Sequence, residues 1–195
     1  MPGLQKTKSE ETRRRVLEAA ATVMTENGID AVQIREVASR AGCSVGSVYK
    51  HFSDRDELII AVNSRTLSKI RTALTEASAG ICDPLTRLKV LARTYLDYAA
   101  ADTNAWRGLF AHQLPDRRDM PEEHQLENIR LLSLIADALA ELAPGLDEAG
   151  LAVRTRTCFG AMHGLVSIAL EGRFVALEDE QLHSEMDFVV ERLCS

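Results

Sequence analysis

Apolar residues recur at helical spacing in almost every long segment of this chain, and no useful stretch alternates with a period of two. The first apolar stripe runs from Val16 to Met24 and stops at Gly28, a residue type that favours a helix C-terminus. Two shorter stripes follow, over 34–41 and 45–52. The pattern predicts an all-α protein.

Capping signals divide these stripes. Ser44 is a natural N-cap for the third helix, and Ser53 with Asp56 three residues later resembles a capping box. That box predicts a long fourth helix over 55–79 without internal glycine or proline. We expect four residues of the third stripe to share one apolar face: Val45, Val48, Tyr49 and Phe52.

The segment SAGICDP at 78–84 combines small residues with glycine and proline and predicts a boundary between two domains, over 10–70 and 83–195. A charged loop bracketed by prolines is expected at 113–121. Helical spacing resumes in the second domain. The helices predicted there cover about 84–101, a short stretch around 103–110, 122–143, 147–171 and 178–193.

Composition narrows the class of protein. No apolar run approaches the roughly 18 residues that a membrane span needs, and no secretory signal is recognisable at the start. The cysteines are scattered without a CxxC pair, so neither a zinc site nor a disulfide framework is expected. They are Cys43, Cys82, Cys158 and Cys194. We therefore expect a cytoplasmic protein without membrane contact, metal or cofactor.

The net charge of −6 is distributed unevenly along the 195 residues. Residues 1–57 carry nine Lys or Arg and nine Asp or Glu, so the whole acidic excess lies in 58–195. Several basic residues lie near the start, between Lys6 and Arg15. This distribution permits contact with phosphate at one end of the molecule only.

Two short helices separated by Gly42-Cys43-Ser44 predict a helix-turn-helix over about 33–52. In that motif the second helix enters the major groove, with its N-terminal residues facing base edges. The small residues at its start, Gly46 and Ser47, would let the backbone approach DNA. On spacing alone, an ordinary polar face of a helical bundle remains the alternative.

A longer run of sequence adds a family resemblance. Residues 13–59, RRRVLEAAATVMTENGIDAVQIREVASRAGCSVGSVYKHFSDRDELI, resemble the DNA-binding domain of the TetR (tetracycline-repressor-like) family of bacterial transcriptional regulators. Gln33 stands where a threonine commonly opens the second helix, and Cys43 where an aliphatic residue is usual. Neither departure removes a group that the motif needs.

The resemblance implies which residues contact double-stranded DNA. They are Gln33 and Arg35 on the second helix, Ser44, Val45, Gly46, Ser47, Tyr49, Lys50 and His51 on the third, and Arg55 on the fourth. For Arg35 the alternative is an ion pair with a nearby acid, and for Tyr49 it is core packing. Arg13 to Arg15 are interpreted as a solvated helix face.

The resemblance also covers parts of the second domain. WRGLF at 106–110 and FGAMHGLVSIALEGRF at 159–174 resemble TetR-type C-terminal domains with a Trp-His-Gly signature, in which Met162 replaces the tryptophan. It implies a homodimer through about 147–171 and 178–193, a pseudo-palindromic operator and a small-molecule effector. The candidate ligand residues are Tyr95, Tyr98, Trp106, Phe110, Arg130, Phe159, Met162 and His163. Simple core packing is the alternative for each aromatic residue.

The resemblance therefore predicts an all-α regulator in which a three-helix DNA-binding domain is joined by a long fourth helix to a ligand-binding and dimerisation domain. A repressor released by a largely apolar ligand is the expected function. An all-helical enzyme is the rival, but the five histidines form no HExxH or clustered set, and no phosphate loop is present. A helical interaction protein without DNA binding is a third class of function. A thiol sensor using Cys43 or Cys158 is a fourth, although it lacks an adjacent basic group in the sequence.

Overall fold

A computed structural model of the chain describes residues 2–113, 119–172, 177 and 179–194, with side chains from residue 7 onward and none for 179–180. All regular elements within these ranges are helical, as predicted. A short 3₁₀ helix, Ile29–Ala31, follows the first α-helix. The α-helices are α1 Pro2–Asn27, α2 Ile34–Arg40, α3 Val45–Tyr49, α4 Arg55–Ser78, α5 Pro84–Ala101, α6 Thr103–Ala111, α7 Glu122–Leu142, α8 Glu148–Leu170 and α9 Asp179–Cys194. The predicted loop at 113–121 and the signature segment ending at 174 lie partly outside the described residues.

Local capping explains why most helix starts agree with the prediction. The side chain of Asp102 accepts a hydrogen bond from the Ala105 amide and that of Asp147 accepts one from Gly150. The capping box predicted at Ser53 and Asp56 is wrong by one residue: its two side chains are those of Asp54 and Glu57. Asp54 Oδ1 accepts from the Glu57 amide at 2.8 Å, and the Glu57 carboxylate accepts from the Ser53 amide at 2.6 Å.

The helix α1 begins well before the apolar stripe that predicted it. Residues 7–15 are polar and mostly exposed, and Arg14 bridges Glu11 at 2.7 Å and Glu18 at 2.9 Å along the helix surface. Such pairs at spacings of three and four residues extend a helix beyond the residues that the core requires.

Contacts divide the chain into two compact units. The first comprises residues 1–66 and 102–124, and the second comprises 67–101 and 125–195. The division falls inside α4 and groups α6 with the N-terminal helices. The domain limits expected from the sequence, 10–70 and 83–195, stay predictions.

The first unit is built around α1, which packs against α2, α3 and α6. Its core holds Val16, Val48 and Phe52, each at most 1% exposed. The Met24 side chain of α1 packs directly on α6 because position 108 is a glycine: a Cβ built there would lie 2.9 Å from Met24 Sδ.

In the second unit, α5, α8 and α9 pack against one another. The apolar stripe of α9, including Met186 and Val190, is buried inside this unit. Two ion pairs, Lys89–Glu191 and Arg93–Asp187, join α5 to α9 at its polar edge. Within the described residues, no helix has the length and apolar character to cross a membrane.

Candidate nucleic-acid interface and apolar cavity

A tight turn joins α2 to α3. Gly42 has φ +62°, in the left-handed region that favours glycine over any residue with a side chain. The Cys43 amide donates to the Ala38 carbonyl at 3.0 Å, which closes the end of α2. From α1, Arg15 Nη1 donates to the Ala41 carbonyl at 3.0 Å. The turn is therefore held from two sides, and α3 projects from a rigid support.

The inner face of α3 is narrower than predicted. Val48 and Phe52 are buried, but Val45 is 37% exposed and Tyr49 is 52% exposed. The expectation that all four residues share a buried face is thus wrong for Val45 and Tyr49. The reason is the length of α3, which spans only Val45–Tyr49 and presents a single residue to the core.

Small residues occupy the start of α3. Ser44 is its N-cap, as predicted: its Oγ accepts from the Ser47 amide at 3.1 Å, and the two hydroxyls lie 2.9 Å apart. Gly46 is exposed, and a Cβ added there would meet nothing nearer than 3.9 Å. Packing within the protein does not require glycine at this position, and the space beside it is open to a molecule that approaches from outside.

Four predicted contact residues face away from the core. Arg35, Tyr49 and Lys50 are exposed and His51 is half-buried. Within the described part of the chain, none of the four forms a side-chain hydrogen bond or an ion pair. The alternative for Arg35, an ion pair with a nearby acid, is therefore not what the structure shows. These side chains offer a cation, donors and an aromatic ring to a partner.

Two more of the predicted contact residues have partners inside the protein. Arg55 donates from Nε to the Val32 carbonyl and from Nη2 to the Ile29 carbonyl, both at 2.7 Å. The Gln33 side-chain amide donates to the Asp30 carbonyl at 2.8 Å. Arg55 thus holds the 3₁₀ helix against the start of α4, and only its remaining N–H groups could reach phosphate.

Arg13 to Arg15 are all exposed, as expected of a solvated helix face, and two of them also contact other parts of the protein. The Arg13 guanidinium lies 5.2 Å from the centre of the Phe52 ring, and Arg15 binds the turn. Arg14 pairs with acids on its own helix.

The second unit contains an apolar cavity of about 50 Å³. A space of this size holds a few water molecules, so a larger ligand would have to push side chains apart. Most of the lining is aliphatic: Leu74, Leu88, Leu91, Ala92, Leu131, Ile135, Val190 and Leu193. The remaining lining residues are Tyr95, Phe159, Met162, Cys158 and Cys194.

Three predicted ligand residues line this cavity, and a fourth supports it. Tyr95, Phe159 and Met162 contribute to the wall. The Tyr95 hydroxyl lies 3.0 Å from His163 Nδ1, and the His163 ring stacks on Phe159 with centroids 5.7 Å apart. Burial lowers the pKa of His163, which favours the neutral imidazole. A protonated His163 as partner for a ligand carboxylate is therefore disfavoured.

The other predicted ligand residues lie away from the cavity wall, so the predicted single cluster is divided. Trp106 and Phe110 pack together in the first unit, with ring centroids 5.4 Å apart. Arg130 is 58% exposed and pairs with Glu127 at 2.9 Å. Tyr98 is half-buried on α5 and is not a lining residue. Within the described residues, no group of three or more His, Cys, Asp or Glu side chains could hold a metal.

Sequence reasoning missed one pair of lining residues. Cys158 on α8 and Cys194 on α9 are both buried, with their sulfur atoms 3.6 Å apart. No local pattern could have indicated the pair, because the two residues belong to different helices.

Comparison with known proteins matches both parts of the chain. A family model for bacterial regulatory proteins of the tetR family matches residues 16–62. A second model, for the tetracyclin repressor-like C-terminal domain, matches residues 88–193, more than half of the chain. The Trp-His-Gly detail is not addressed by either match.

Curated relatives align over a part of their length. The chain is 31% identical over 101 residues to the HTH-type transcriptional activator FasR of Mycolicibacterium smegmatis. The aligned region covers 52% of this chain and 46% of FasR. It is 31% identical over 81 residues to the HTH-type transcriptional repressor KstR of Mycobacterium tuberculosis, covering 42% of this chain and 37% of KstR. The chain thus spans less than half the length of either relative.

A solved structure shares the fold over nearly the whole chain. The transcriptional regulator FadR from Bacillus subtilis, in complex with stearoyl-CoA, superposes with a TM-score of 0.71. The match covers 93% of this chain and 97% of FadR at 18% sequence identity. At this identity the likeness describes architecture alone.

Proposed function

Because this chain belongs to the TetR family of bacterial regulatory proteins, we propose that it binds an operator as a homodimer and represses transcription until an apolar ligand binds. It is a DNA-binding regulator rather than an enzyme. We further propose that it acts in the cytoplasm, where bacterial DNA lies. The surface formed by α2 and α3 would contact the operator.

The observation that carries the DNA-binding proposal is the outward face of α3. Tyr49, Lys50 and His51 have no partner among the described side chains, while Val48 and Phe52 beneath them are buried. A rigid inner face with free polar groups outside is the arrangement that the major groove requires. The open space at Gly46 further supports close approach of the backbone.

An exposed apolar face supports the proposal of a dimer. Val153 is 62% exposed and Ile168 is 38% exposed on α8, and Phe188 is 49% exposed on α9. Gly160 and Gly164 lie between the two α8 residues on the same side of the helix. Apolar side chains flanking a smooth strip of helix suit the close packing of a second copy.

The direct test is selection of binding sites from random DNA at moderate salt. We expect enrichment of a pseudo-palindrome whose half-sites lie about 34–36 Å apart, or slightly more. A folded dimer that enriches no sequence would contradict the DNA-binding proposal, and enrichment of a single half-site would contradict the dimer.

Lys50→Ala should weaken binding to operator and to unrelated DNA alike, because a lysine that neutralises phosphate acts without regard to sequence. The slope of log affinity against log salt should become shallower by about two, because each protomer of the dimer loses one phosphate contact. Fluorescence anisotropy over a salt series measures both quantities.

Ser47→Ala is the matched control on the same helix. If Ser47 faces the groove, this variant should change base preference and leave the salt slope unchanged. An unchanged affinity and slope in Lys50→Ala would show that Lys50 makes no phosphate contact.

The cavity supports the class of ligand that we propose. Aliphatic side chains form most of its wall, and the Tyr95 hydroxyl is one polar group near it. Such a wall favours a slender, largely apolar molecule. Met162 lines the cavity too, and its flexible side chain can move to make room for one. FadR, which shares this fold, was solved with stearoyl-CoA, a ligand with a long apolar chain.

Ala92→Leu should weaken binding of an apolar ligand by at least about tenfold, a change of roughly 1.4 kcal/mol, because the added carbons occupy the cavity. A panel of fatty acids of increasing chain length, followed by calorimetry, measures the effect. Ala100→Leu, at an exposed position of α5, is the control and should bind like the unaltered protein.

Linkage tests the release mechanism separately. A compound that lowers operator affinity must bind operator-loaded protein less tightly by the same factor. Equal affinity for the free and the loaded protein would exclude release by this route.

A further inference from the structure

Two cysteines meet at the wall of the apolar cavity. The sulfur atoms of Cys158 and Cys194 lie 3.6 Å apart, and both residues are at least nine-tenths buried. The chain has two more cysteines, of which Cys43 is half-buried and Cys82 is exposed. The wall of the cavity therefore presents two adjacent thiols to a molecule that enters it.

The environment makes the two thiols unequal. A hydrogen bond from the Cys194 thiol lowers the pKa of Cys158, while the same bond raises the pKa of Cys194. Arg154, which donates to the Leu193 carbonyl at 2.9 Å, lowers the pKa of both thiols by its positive charge, so the hydrogen bond alone distinguishes them. Cys158 is thus the better thiolate, and Cys194 is the protonated neighbour that can react next.

We propose that Cys158 and Cys194 form a modification site, at which an apolar organic hydroperoxide converts the two thiols into an intramolecular disulfide. The sulfur atoms would have to approach by about 1.5 Å to reach the disulfide bond length. Rotation of the two side chains can supply much of this, and Cys194 is the last residue of α9, where a helix frays most easily.

The chemistry balances without a cofactor. The Cys158 thiolate attacks the terminal oxygen of the hydroperoxide, the O–O bond breaks, and the alcohol leaves with the proton that Cys158 gave up. Cys158 is then a sulfenic acid. The Cys194 sulfur attacks it, the S–O bond breaks, and water leaves with the Cys194 proton. Two thiols are oxidised by two electrons, and the hydroperoxide is reduced to alcohol and water.

The cavity determines which oxidant reacts fastest. Its lining is almost wholly apolar, so cumene hydroperoxide should be favoured there over the more polar hydrogen peroxide once the lining side chains move apart to admit it. The disulfide would join α8 to α9 across one end of the cavity and reduce the space for an apolar ligand. Only the effect of this change on operator binding rests on the proposed function.

The test uses the full chain with Cys43→Ser and Cys82→Ser, which leaves the buried pair as the only thiols. Treatment with cumene hydroperoxide should remove both thiols, lower the intact mass by two hydrogen atoms, and leave the chain uncrosslinked on a non-reducing gel. Dithiothreitol should restore both thiols. Hydrogen peroxide at equal concentration should act at least about tenfold more slowly, because it lacks the apolar groups that favour transfer of cumene hydroperoxide from water into the cavity.

Further substitution identifies the pair. Adding Cys194→Ser should stop oxidation at a dimedone-reactive sulfenic acid on Cys158, whereas adding Cys158→Ser should leave Cys194 reduced. Circular dichroism before treatment checks that each variant is folded. If both thiols persist under conditions that oxidise Cys82 in the unaltered protein, the pair is inert packing and the proposal is wrong.

Operator affinity is measured afterwards on the same samples. A disulfide that forms without changing operator affinity would uphold the modification site and separate it from DNA binding.

Discussion

Phe52→Ala should lower the free energy of unfolding of the helix-turn-helix region by about 3–5 kcal/mol and abolish operator binding. Phe52 is 1% exposed, packs in the core of the first unit and lies under the Arg13 guanidinium. Removing the ring leaves a cavity beneath α3. This helix has only five residues, so it is not stable without packing against the core. Hydrogen exchange of the amides in 45–52 and urea denaturation measure the loss of stability.

Tyr49→Ala is the matched control, since it truncates a neighbouring aromatic residue that is 52% exposed. We expect its free energy of unfolding to change by no more than about 0.5 kcal/mol, while operator affinity falls. Equal destabilisation by the two variants would mean that Tyr49 serves the core as well.

Phe188→Asp should convert the proposed homodimer to a monomer and lower operator affinity at least about 100-fold. The ring is 49% exposed in the single chain, so a folded monomer tolerates the change. In a dimer interface the carboxylate would be taken out of water, which costs several kcal/mol even if Arg192, four residues later on α9, pairs with it. We choose Phe188 rather than its neighbour Val189, because Val189 is half-buried and its substitution would also disturb the fold of the single chain. Light scattering measures the mass, and fluorescence anisotropy measures the affinity.

Ile129→Asp controls for the chemistry of the substitution. Ile129 is 62% exposed on α7, outside the proposed interface. This variant should remain dimeric and bind operator normally. If it dissociates while Phe188→Asp does not, the interface includes α7 instead of α9.

The helices could be predicted closely because their signals are local. Asp147 lies one residue before α8, and Gly28 comes directly after α1. The start of α8 and the end of α1 are thus each determined by residues next to them in the sequence. The helix-turn-helix was predictable for the same reason: Gly42 and Ser44 shape the turn and cap the next helix within three positions.

What could not be predicted depends on contacts between distant parts of the chain. Arg55 looks like a phosphate ligand in the sequence, and only the folded chain brings the carbonyls of Ile29 and Val32 to it. Trp106 looks like a pocket residue, yet its helix packs in the first unit. The exposure of Tyr49 likewise follows from the short length of α3, which the apolar periodicity over 45–52 does not indicate.

The packing of Met24 on α6 at Gly108 makes two positions of the chain interdependent. A Cβ at 108 would lie 2.9 Å from the sulfur of Met24, which is fully buried and has little room to move. A related protein with alanine at 108 would therefore need a shorter residue at 24, so the two sites should covary in size. A smaller residue at 24 can therefore precede a larger one at 108, whereas the reverse order is disfavoured.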